Sequence, residues 1–232
     1  MKKTIGILGG MGPLATADLF RKIVLMTDAS SDNDHIRIYI DDNAQIPDRT
    51  AAILSGGADP VPAMLDSVKK LSAIGADVLI MPCNTAHYFL PQLQDHAPVP
   101  FISMLEETAA ACREAHGEAP VGLLATSGTI RSGIYKDALA KQHVPCVEPD
   151  AQQQQVLMEL IYGVKAGRTD LDEAAFRRVL DEMKQRGANY FILGCTELPI
   201  LADLFHLQEE CIDPTTVLAQ SAITYCGYRV KK

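Results

Sequence analysis

The stretch LIMPCNTAH, at residues 79–87, joins a short apolar run to Cys83 and then to small polar residues. A second stretch, FILGCTELP at residues 191–199, has the same design around Cys195, 112 positions further on. The lead-ins also agree, since GAD begins the first run and GAN begins the second. A short apolar run bounded by Gly or Pro is typical of a strand buried on both faces. Because chemistry collects just past the carboxyl ends of such strands, each cysteine stands where a reactive group is expected.

A second pair of matching segments indicates an internal duplication. GIL at residues 6–8 and GLL at residues 122–124 lie 116 positions apart, close to the offset of the cysteines. Each is followed by a turn of small residues, GGMG at residues 9–12 and ATSGT at residues 125–129. Two matches at nearly one offset predict two similar lobes.

The order of apolar runs and helix-period segments predicts the fold class. The first half alternates as strand, helix, strand, helix, strand, which implies a parallel sheet, and the pattern restarts after the Pro-Val-Pro at residues 98–100. We therefore predict an α/β protein with two pseudo-symmetric lobes, each a parallel sheet flanked by helices, and an active site in the cleft between them. The lobes are predicted as residues 1–98 plus 213–232, carrying Cys83, and residues 99–212, carrying Cys195.

Individual elements are predicted from the same patterns. Strands are predicted at residues 5–8, 35–40 and 121–124 and at the apolar runs before the two cysteines. Helices are predicted to begin at Pro13 and to cover residues 60–74, 104–112, 134–139, 156–164, 176–183 and 214–225. The predicted apolar side of the first helix consists of Leu14, Leu19, Ile23 and Met26. Residues 41–50, including Arg49, are predicted as a polar loop, and the last helix is expected to return to the first lobe.

Composition argues against several classes of partner. The chain has 232 residues, 47% of them apolar, with a formal net charge of −8 and a pI near 5.2. Nucleic acids and anionic membranes both require a basic face, so we expect a small-molecule ligand instead. The six cysteines include no CxxC pair, which indicates reduced thiols in a cytoplasmic protein. The apolar run near residue 5 is interrupted at residues 9–13, so we predict no signal peptide, and no stretch reaches the roughly 18 apolar residues of a membrane span.

Two thiols at equivalent strand ends suit one reaction in particular. If a planar carbanion forms between two groups that exchange protons, one group removes a proton from one face and the other delivers a proton to the opposite face. The result is inversion of a stereocentre. Cysteine suits both roles because its reference pKa of about 8.5 lies near working pH. The other four cysteines are interpreted as small buried apolar residues: Cys112, Cys146, Cys211 and Cys226.

Two other kinds of site are weighed against this interpretation. His87 follows Cys83 by four residues, so a zinc site is conceivable, although no nearby His or Cys supplies a third ligand by spacing. Residues 10–15 match the dinucleotide fingerprint G-x-G-x-x-A, with the acidic pair at residues 41–42 as the ribose partner. The acidic pair arrives later than the usual spacing, and the matching turn at residues 126–129 favours a smaller anion at both turns.

Three charged residues are candidates for ligand binding. Arg49 and Lys165 are candidate carboxylate anchors, since Arg offers a planar fork and Lys a point charge, although either could be a solvated surface residue. Glu197, two residues after Cys195, could orient a ligand amine, hold a water molecule, or cap the short helix that follows.

Three motifs together resemble the aspartate/glutamate racemase family: GGMGP at residues 9–13, PCNTAH at residues 82–87 and GCTELP at residues 194–199. The resemblance runs through essentially the whole chain. It implies two α/β lobes enclosing an amino acid, and Cys83 and Cys195 as the two acid/base residues, without pyridoxal phosphate, metal or nucleotide. A homodimer is the assembly that the resemblance implies. The substrate-binding residues that it implies are Met11, Asn84, Thr85, Thr126, Ser127, Thr129 and Thr196, with Glu197 beside them.

Within that family the chain is more similar to the aspartate racemase branch. Glutamate racemases usually carry Asp-Ser in the first turn and Gly-Cys-Thr-His at the second cysteine, where this chain has Gly-Met-Gly and Gly-Cys-Thr-Glu. In the aspartate branch, an Arg after the second strand and a Lys in the second lobe bind the acidic side chain, which matches Arg49 and Lys165. Some relatives lack the first cysteine and favour one enantiomer, so a chain with both is expected to work in both directions.

The predicted function is therefore cofactor-independent racemisation of aspartate, with side activity on glutamate. One alternative is decarboxylation or cis–trans isomerisation of a related dicarboxylate through the same cysteines. Another is a ligand-binding or thiol-sensing protein without turnover. Both alternatives keep the fold and differ in what happens at the thiols.

Overall fold

The computed structural model of the protein describes residues 2–168 and 170–231. These residues form two compact units. The first contains the residues up to Glu107 and those from Thr215 onward, and the second runs from Thr108 to Pro214. The lobe boundaries predicted from sequence, after residue 98 and before residue 213, stay a prediction.

Strands and helices alternate along the described residues. The strands are β1 (Ile5–Gly9), β2 (Ile38–Asp42), β3 (Val78–Ile80), β4 (Val121–Ala125), β5 (Cys146–Val147), β6 (Tyr190–Gly194) and β7 (Cys211–Ile212). The α-helices are α1 (Pro13–Met26), α2 (Arg49–Ser55), α3 (Val61–Ala73), α4 (Leu90–Gln94), α5 (Met104–His116), α6 (Ser127–Ser132), α7 (Ile134–Lys141), α8 (Ala151–Lys165), α9 (Glu173–Gln185), α10 (Leu198–Leu204) and α11 (Pro214–Tyr225). Short 3-10 helices cover Asp32–Asp34, Thr85–Phe89 and Gln208–Glu210.

The sheet of the first unit is parallel, with strand order β2-β1-β3. Every residue of β1 is buried, as expected for a central strand. Alternate residues of β1 face opposite sides of the sheet. Ile5 and Ile7 lie in an apolar cluster with residues of α1 and α11, whereas Leu8 lies in another cluster with residues of α3. Helices therefore cover both faces of this sheet, and the carboxyl ends of its strands remain for chemistry.

The sheet of the second unit is also parallel, with strand order β5-β4-β6-β7. Both β4 and β6 are buried along their whole length. The principal apolar cluster joins β6 to α8, α9 and α10 through residues such as Leu157, Phe176, Phe191 and Leu201. The edge strands β5 and β7 contain only two residues each.

Several predicted elements need correction. The second strand begins at Ile38 rather than at residue 35, because its pairing with β1 starts there, and it continues through Asp42. Arg49 is the first residue of α2 rather than part of a loop, because Asp48 caps this helix by accepting the Ala51 N–H at 2.7 Å. Helix α8 begins at residue 151, so it contains the glutamine run at residues 152–155, which is itself typical of a helix start, as well as the predicted segment 156–164. A capping box at Asp150 stabilises this start.

The apolar side of α1 also differs from the prediction. Leu14 is 69% exposed, and the buried side consists of Ala15, Thr16, Leu19 and Ile23. The predicted start of this helix at Pro13 is observed. The predicted fold class, with two parallel sheets flanked by helices, is confirmed. Among the described residues, none of the helices combines the length and apolar character needed to cross a membrane.

Candidate active site

Cys83 and Cys195 occupy equivalent places in their own sheets. The first residues of the central strands β1 and β4 lie opposite Val78 of β3 and Tyr190 of β6, respectively. Cys83 follows Val78 by five residues, and Cys195 follows Tyr190 by five residues. Both thiols thus follow the first paired residue of equivalent strands by the same number of residues and lie just beyond the carboxyl ends of β3 and β6.

Cys83 is held through its backbone by His87. Nδ1 of His87 donates to the carbonyl oxygen of Cys83 at 2.8 Å, and Nε2 accepts the backbone N–H of Met104 at 3.0 Å. A backbone N–H only donates, so Nε2 carries no proton and the imidazole is neutral. Burial lowers the pKa of His87 to about 4, which agrees with this tautomer. The side chain therefore ties the Cys83 loop to the first residue of α5.

The zinc alternative receives no support from this geometry. Nδ1 of His87 carries the proton, and the lone pair of Nε2 accepts the Met104 N–H, so no ring lone pair is directed at an ion. Across residues 2–168 and 170–231, no three His, Cys, Asp or Glu side chains are arranged to hold a metal ion.

The two residues after Cys83 are buried polar side chains. Asn84 is 2% exposed and Thr85 is 6% exposed, at the start of the 3-10 helix Thr85–Phe89. Buried polar groups directly beyond a strand end are suited to bind a small polar ligand.

Arg49 is fastened to the turn that follows β1. Its Nη1 donates to the carbonyl oxygens of Ile46 and Pro47 at 3.1 and 2.9 Å, and its Nη2 donates to that of Met11 at 3.3 Å. Nε of Arg49 is buried and has no hydrogen-bond partner among the described residues. The guanidinium group is thus fixed in place and keeps a donor that the protein does not use.

Gly10 allows this turn to approach the loop after β2. Its φ is +89°, and a Cβ added there would lie 2.3 Å from the carbonyl oxygen of Asn43. Any larger residue would therefore push the turn away. The Gly10 N–H donates to Oγ1 of Thr16 at 2.9 Å, which attaches the turn to α1. This close approach brings the Met11 carbonyl within reach of Arg49.

Cys195 has a carboxylate partner. Its Sγ donates to Oε2 of Glu197 at 2.9 Å, and the Thr196 hydroxyl donates to the same oxygen at 3.3 Å. Burial raises the pKa of the Cys195 thiol well above its usual value, and the charge of Glu197 adds to the rise, whereas the Lys165 ammonium opposes it. Cys195 is therefore a protonated thiol near neutral pH, and Lys165 lies within electrostatic range of it.

The turn after β4 lies beside the second cysteine motif, because Ala125 pairs with Gly194 in the sheet. Oγ1 of Thr126 accepts the Thr129 N–H at 3.2 Å and lies 3.1 Å from the Thr129 hydroxyl, which caps α6. The Ser127 N–H contacts the sulfur of Met158 at 3.3 Å. The second unit thus brings the predicted residues of this turn next to those around Cys195.

The sequence did not single out Gln154, which also reaches this turn. Its Nε2 donates to the carbonyl oxygen of Ala125 at 3.0 Å. Residues 152–155 are a run of four glutamines at the start of a helix, and such a run does not indicate which side chain turns inward. Only the position of α8 against β4 reveals the contact.

The remaining four cysteines have elevated thiol pKa values. Burial raises the pKa of Cys112 and of Cys226 to about 11, and both side chains are fully buried. Burial raises the pKa of Cys146 and of Cys211, which lie on the edge strands β5 and β7, to about 12. These four thiols are therefore protonated and unreactive near neutral pH.

Comparison with known proteins agrees with this geometry. The profile of the Asp/Glu/hydantoin racemase family matches residues 8–222. The chain is 32% identical to the broad specificity amino-acid racemase RacX of Bacillus subtilis, over 97% of this chain and 99% of that protein. It is 30% identical to a glutamate racemase of Desulforudis audaxviator, over 80% of this chain and 65% of that protein.

A solved structure gives a further comparison. The aspartate racemase of Picrophilus torridus has a TM-score of 0.87 and 33% sequence identity, with 99% of this chain and 96% of that chain covered. The predicted resemblance to amino-acid racemases is confirmed by the family match over most of the chain. The protein therefore belongs to the Asp/Glu/hydantoin racemase family.

Proposed function

We propose that this protein interconverts L- and D-aspartate without a cofactor, using Cys83 and Cys195 as the two acid/base groups. The observation that carries the proposal is the shared sheet register, which gives the two thiols equivalent positions in their sheets. Inversion at an α-carbon requires one group to take a proton from one face and another to deliver a proton to the opposite face. Two equivalent thiols meet that requirement.

The surroundings of Cys195 support its role as proton donor in the resting enzyme. Its raised pKa keeps it a thiol near neutral pH. In this direction Cys83 is the base that removes the α-proton, and Cys195 gives its own proton to the other face of the carbanion. That turnover leaves Cys83 protonated and Cys195 deprotonated, so in the opposite direction Cys195 removes the α-proton and Cys83 returns its own. Glu197, which accepts the hydrogen bond of Cys195, holds that thiol in place.

Two cations support an acidic substrate. The Nε–H of Arg49 has no acceptor among the residues that the structure describes, and Arg binds a carboxylate through two parallel N–H donors. The Lys165 ammonium lies within electrostatic range of Cys195 and adds a second positive charge. We therefore propose that Arg49 and Lys165 bind the side-chain carboxylate of aspartate. The same cations would accept glutamate as a slower substrate.

Polar groups near the thiols would stabilise the negative charge that develops when the α-proton leaves. We assign this role to the small polar residues at the strand ends, with Met11 lining the same site. Preorganised donors of this kind contribute most where charge appears only in the transition state. The residues are Asn84, Thr85, Thr126, Ser127, Thr129 and Thr196.

The test is α-hydrogen exchange in D₂O, followed by proton NMR, with purified protein and no added cofactor. L-aspartate, D-aspartate, L-glutamate and several neutral amino acids would be offered, because the Bacillus subtilis relative is named for broad specificity. We expect deuterium at the α-carbon of both aspartate enantiomers, together with appearance of the opposite enantiomer. Exchange with neutral amino acids but not with aspartate would overturn the substrate assignment.

Cysteine variants test the two-thiol mechanism. Cys83→Ser and Cys195→Ser should each lower the racemisation rate by at least about a hundredfold, the smallest usual contribution of a general acid or base. Cys146→Ser is the matched control, because this half-buried thiol lies on the edge strand β5, and it should keep the wild-type rate. Full racemisation by either active-site variant would reject the mechanism.

The homodimer is also a proposal. Light scattering on the eluting protein would then give about twice the chain mass of 25.2 kDa. A mass of one chain at assay concentration would reject it.

A further inference from the structure

The amide of Gln154 has only one orientation that satisfies its hydrogen bond. Nε2 donates to the carbonyl oxygen of Ala125 at 3.0 Å. Rotating the amide by half a turn would put two oxygens against each other, so the nitrogen must face Ala125. Oε1 of Gln154 consequently points away from that carbonyl.

Oε1 of Gln154 is an acceptor that none of the described residues uses. It is buried and has no hydrogen-bond partner among the described residues. A buried acceptor without a donor is destabilising, and such groups are uncommon in native proteins. The neighbouring glutamines differ from it. Both polar atoms of the Gln153 side chain are engaged, by Asp150, Glu182 and Arg186. Gln155 is exposed, and its Nε2 donates to Glu159.

The position of Gln154 connects this acceptor to the candidate site. Ala125 pairs with Gly194, the residue before Cys195, so the amide lies one strand away from the second thiol motif. One helical turn further along α8, Met158 contacts the N–H of Ser127. This face of α8 therefore follows the turn after β4, and its last residue, Lys165, lies within electrostatic range of Cys195.

We propose that Gln154 binds the α-ammonium group of the substrate through Oε1, a role that rests on the proposed racemase function. An amide oxygen accepts hydrogen bonds and donates none, so it suits an ammonium group and disfavours a carboxylate. An ammonium group bound there would be one strand from Cys195, next to the α-carbon on which that thiol acts. Gln154 is thus a substrate-positioning residue that distinguishes amino acids from dicarboxylates without an amine.

Binding of two ligands that differ only in the amine tests this assignment. DL-aspartate, which racemisation leaves unchanged, and succinate, which lacks the amine, would be titrated into wild-type protein and variants by calorimetry. Gln154→Leu removes the acceptor, and it should weaken DL-aspartate about tenfold, as loss of a charge-assisted hydrogen bond does, while changing succinate affinity less than about twofold.

Two further variants make the test independent of the folding of Gln154→Leu. Gln154→Glu keeps an oxygen acceptor and adds a negative charge but loses the donor to Ala125, so its preference for DL-aspartate over succinate should exceed that of Gln154→Leu. Gln155→Leu is the matched control, since Gln155 is exposed and bonds only to Glu159 among the described residues, and it should change neither affinity.

The outcomes separate the two proposals. If wild type binds both ligands and Gln154→Leu weakens both equally, the role of Gln154 is wrong and the racemase proposal stands. A Gln154→Glu variant that prefers DL-aspartate no more than Gln154→Leu does would also overturn the role. If wild type binds neither ligand, the acidic substrate class itself is wrong, and this assignment falls with it.

Discussion

The protonation state of His87 is coupled to folding. Its folded pKa is about 4, whereas a histidine in an unfolded chain titrates near 6.5. As pH falls below about 6.5, the unfolded chain binds a proton at this residue and the folded protein does not, so stability decreases until about pH 4. The loss over that range should be on the order of 3 kcal/mol.

Urea unfolding at pH 7.5 and pH 4.5 checks this expectation. His87→Gln removes the titrating group, so its stability should fall about 2 to 3 kcal/mol less than that of wild type on acidification. His96→Gln is the control, because it makes the same substitution at an exposed histidine. An equal response to acid in wild type and His87→Gln would show that the buried imidazole does not control the acid sensitivity.

At the residue scale the sequence identifies the candidate acid/base residues but not the contacts that surround them. Matching motifs were enough to pick out Cys83 and Cys195 and to suggest polar residues beside them. The hydrogen bond from Cys195 to Glu197 was not predicted, although the sequence had marked Glu197 as a candidate. The contact of Gln154 with Ala125 spans 29 residues and depends on how α8 lies on β4, which no local pattern records.

At the element scale, the start of α2 governs Arg49. Asp48 caps this helix by accepting the Ala51 N–H, and Arg49 is its first residue. Asp48→Ala should lower the free energy of unfolding by about 1 kcal/mol, the usual cost of losing a cap. It should also raise KM for aspartate, because the proposed carboxylate anchor loses its fixed position. Denaturant unfolding and steady-state kinetics measure the two effects.

Asp172 offers a closely matched control for this experiment. It caps α9 by accepting the Ala175 N–H at 2.9 Å, with the same three-residue spacing. Asp172→Ala should therefore cost a similar stability and leave KM unchanged. Equal KM values in the two variants would remove the link between the α2 cap and substrate binding.

Strands were predictable from the sequence where complete burial gives a long run of apolar residues. The strands β1, β4 and β6 are buried throughout, so each appears as an uninterrupted apolar run. The two-residue strands β5 and β7 are too short to leave a pattern, and only their pairing with β4 and β6 defines them. Helix α2 was missed because its cap was not recognised in a segment read as a polar loop.

At the scale of the whole molecule, α11 completes the core of the first unit. Leu218 is fully buried in the cluster that contains Ile5 and Ile7. Leu218→Ala should lower the free energy of unfolding by about 2 to 5 kcal/mol, as usual for a leucine in a core. Leu25→Ala makes the same change at a site on α1 that is 58% exposed, and it should cost less than about 0.5 kcal/mol.

Circular dichroism during urea unfolding compares these two variants with wild type. Similar stability of Leu218→Ala and Leu25→Ala would contradict the role of α11 in this core.

The internal duplication inferred from the two sequence offsets corresponds to a similarity between the two sheets. In the strand pairs β1–β3 and β4–β6, the cysteine follows the first paired residue of the second strand by the same number of residues. The packing of α11 against the first sheet, in contrast, cannot be predicted from the repeat.

The division of the first unit into two chain segments has a consequence for synthesis on the ribosome. The second unit is one continuous segment, but β1 must wait for α11 before its apolar face is covered. At roughly 5 to 20 residues per second, the stretch of the chain between β1 and α11 takes about 10 to 40 seconds to translate. During that interval the nascent chain presents Ile5, Ile7 and Ile23 without their final partners, so this is the period in which a chaperone would protect it from aggregation.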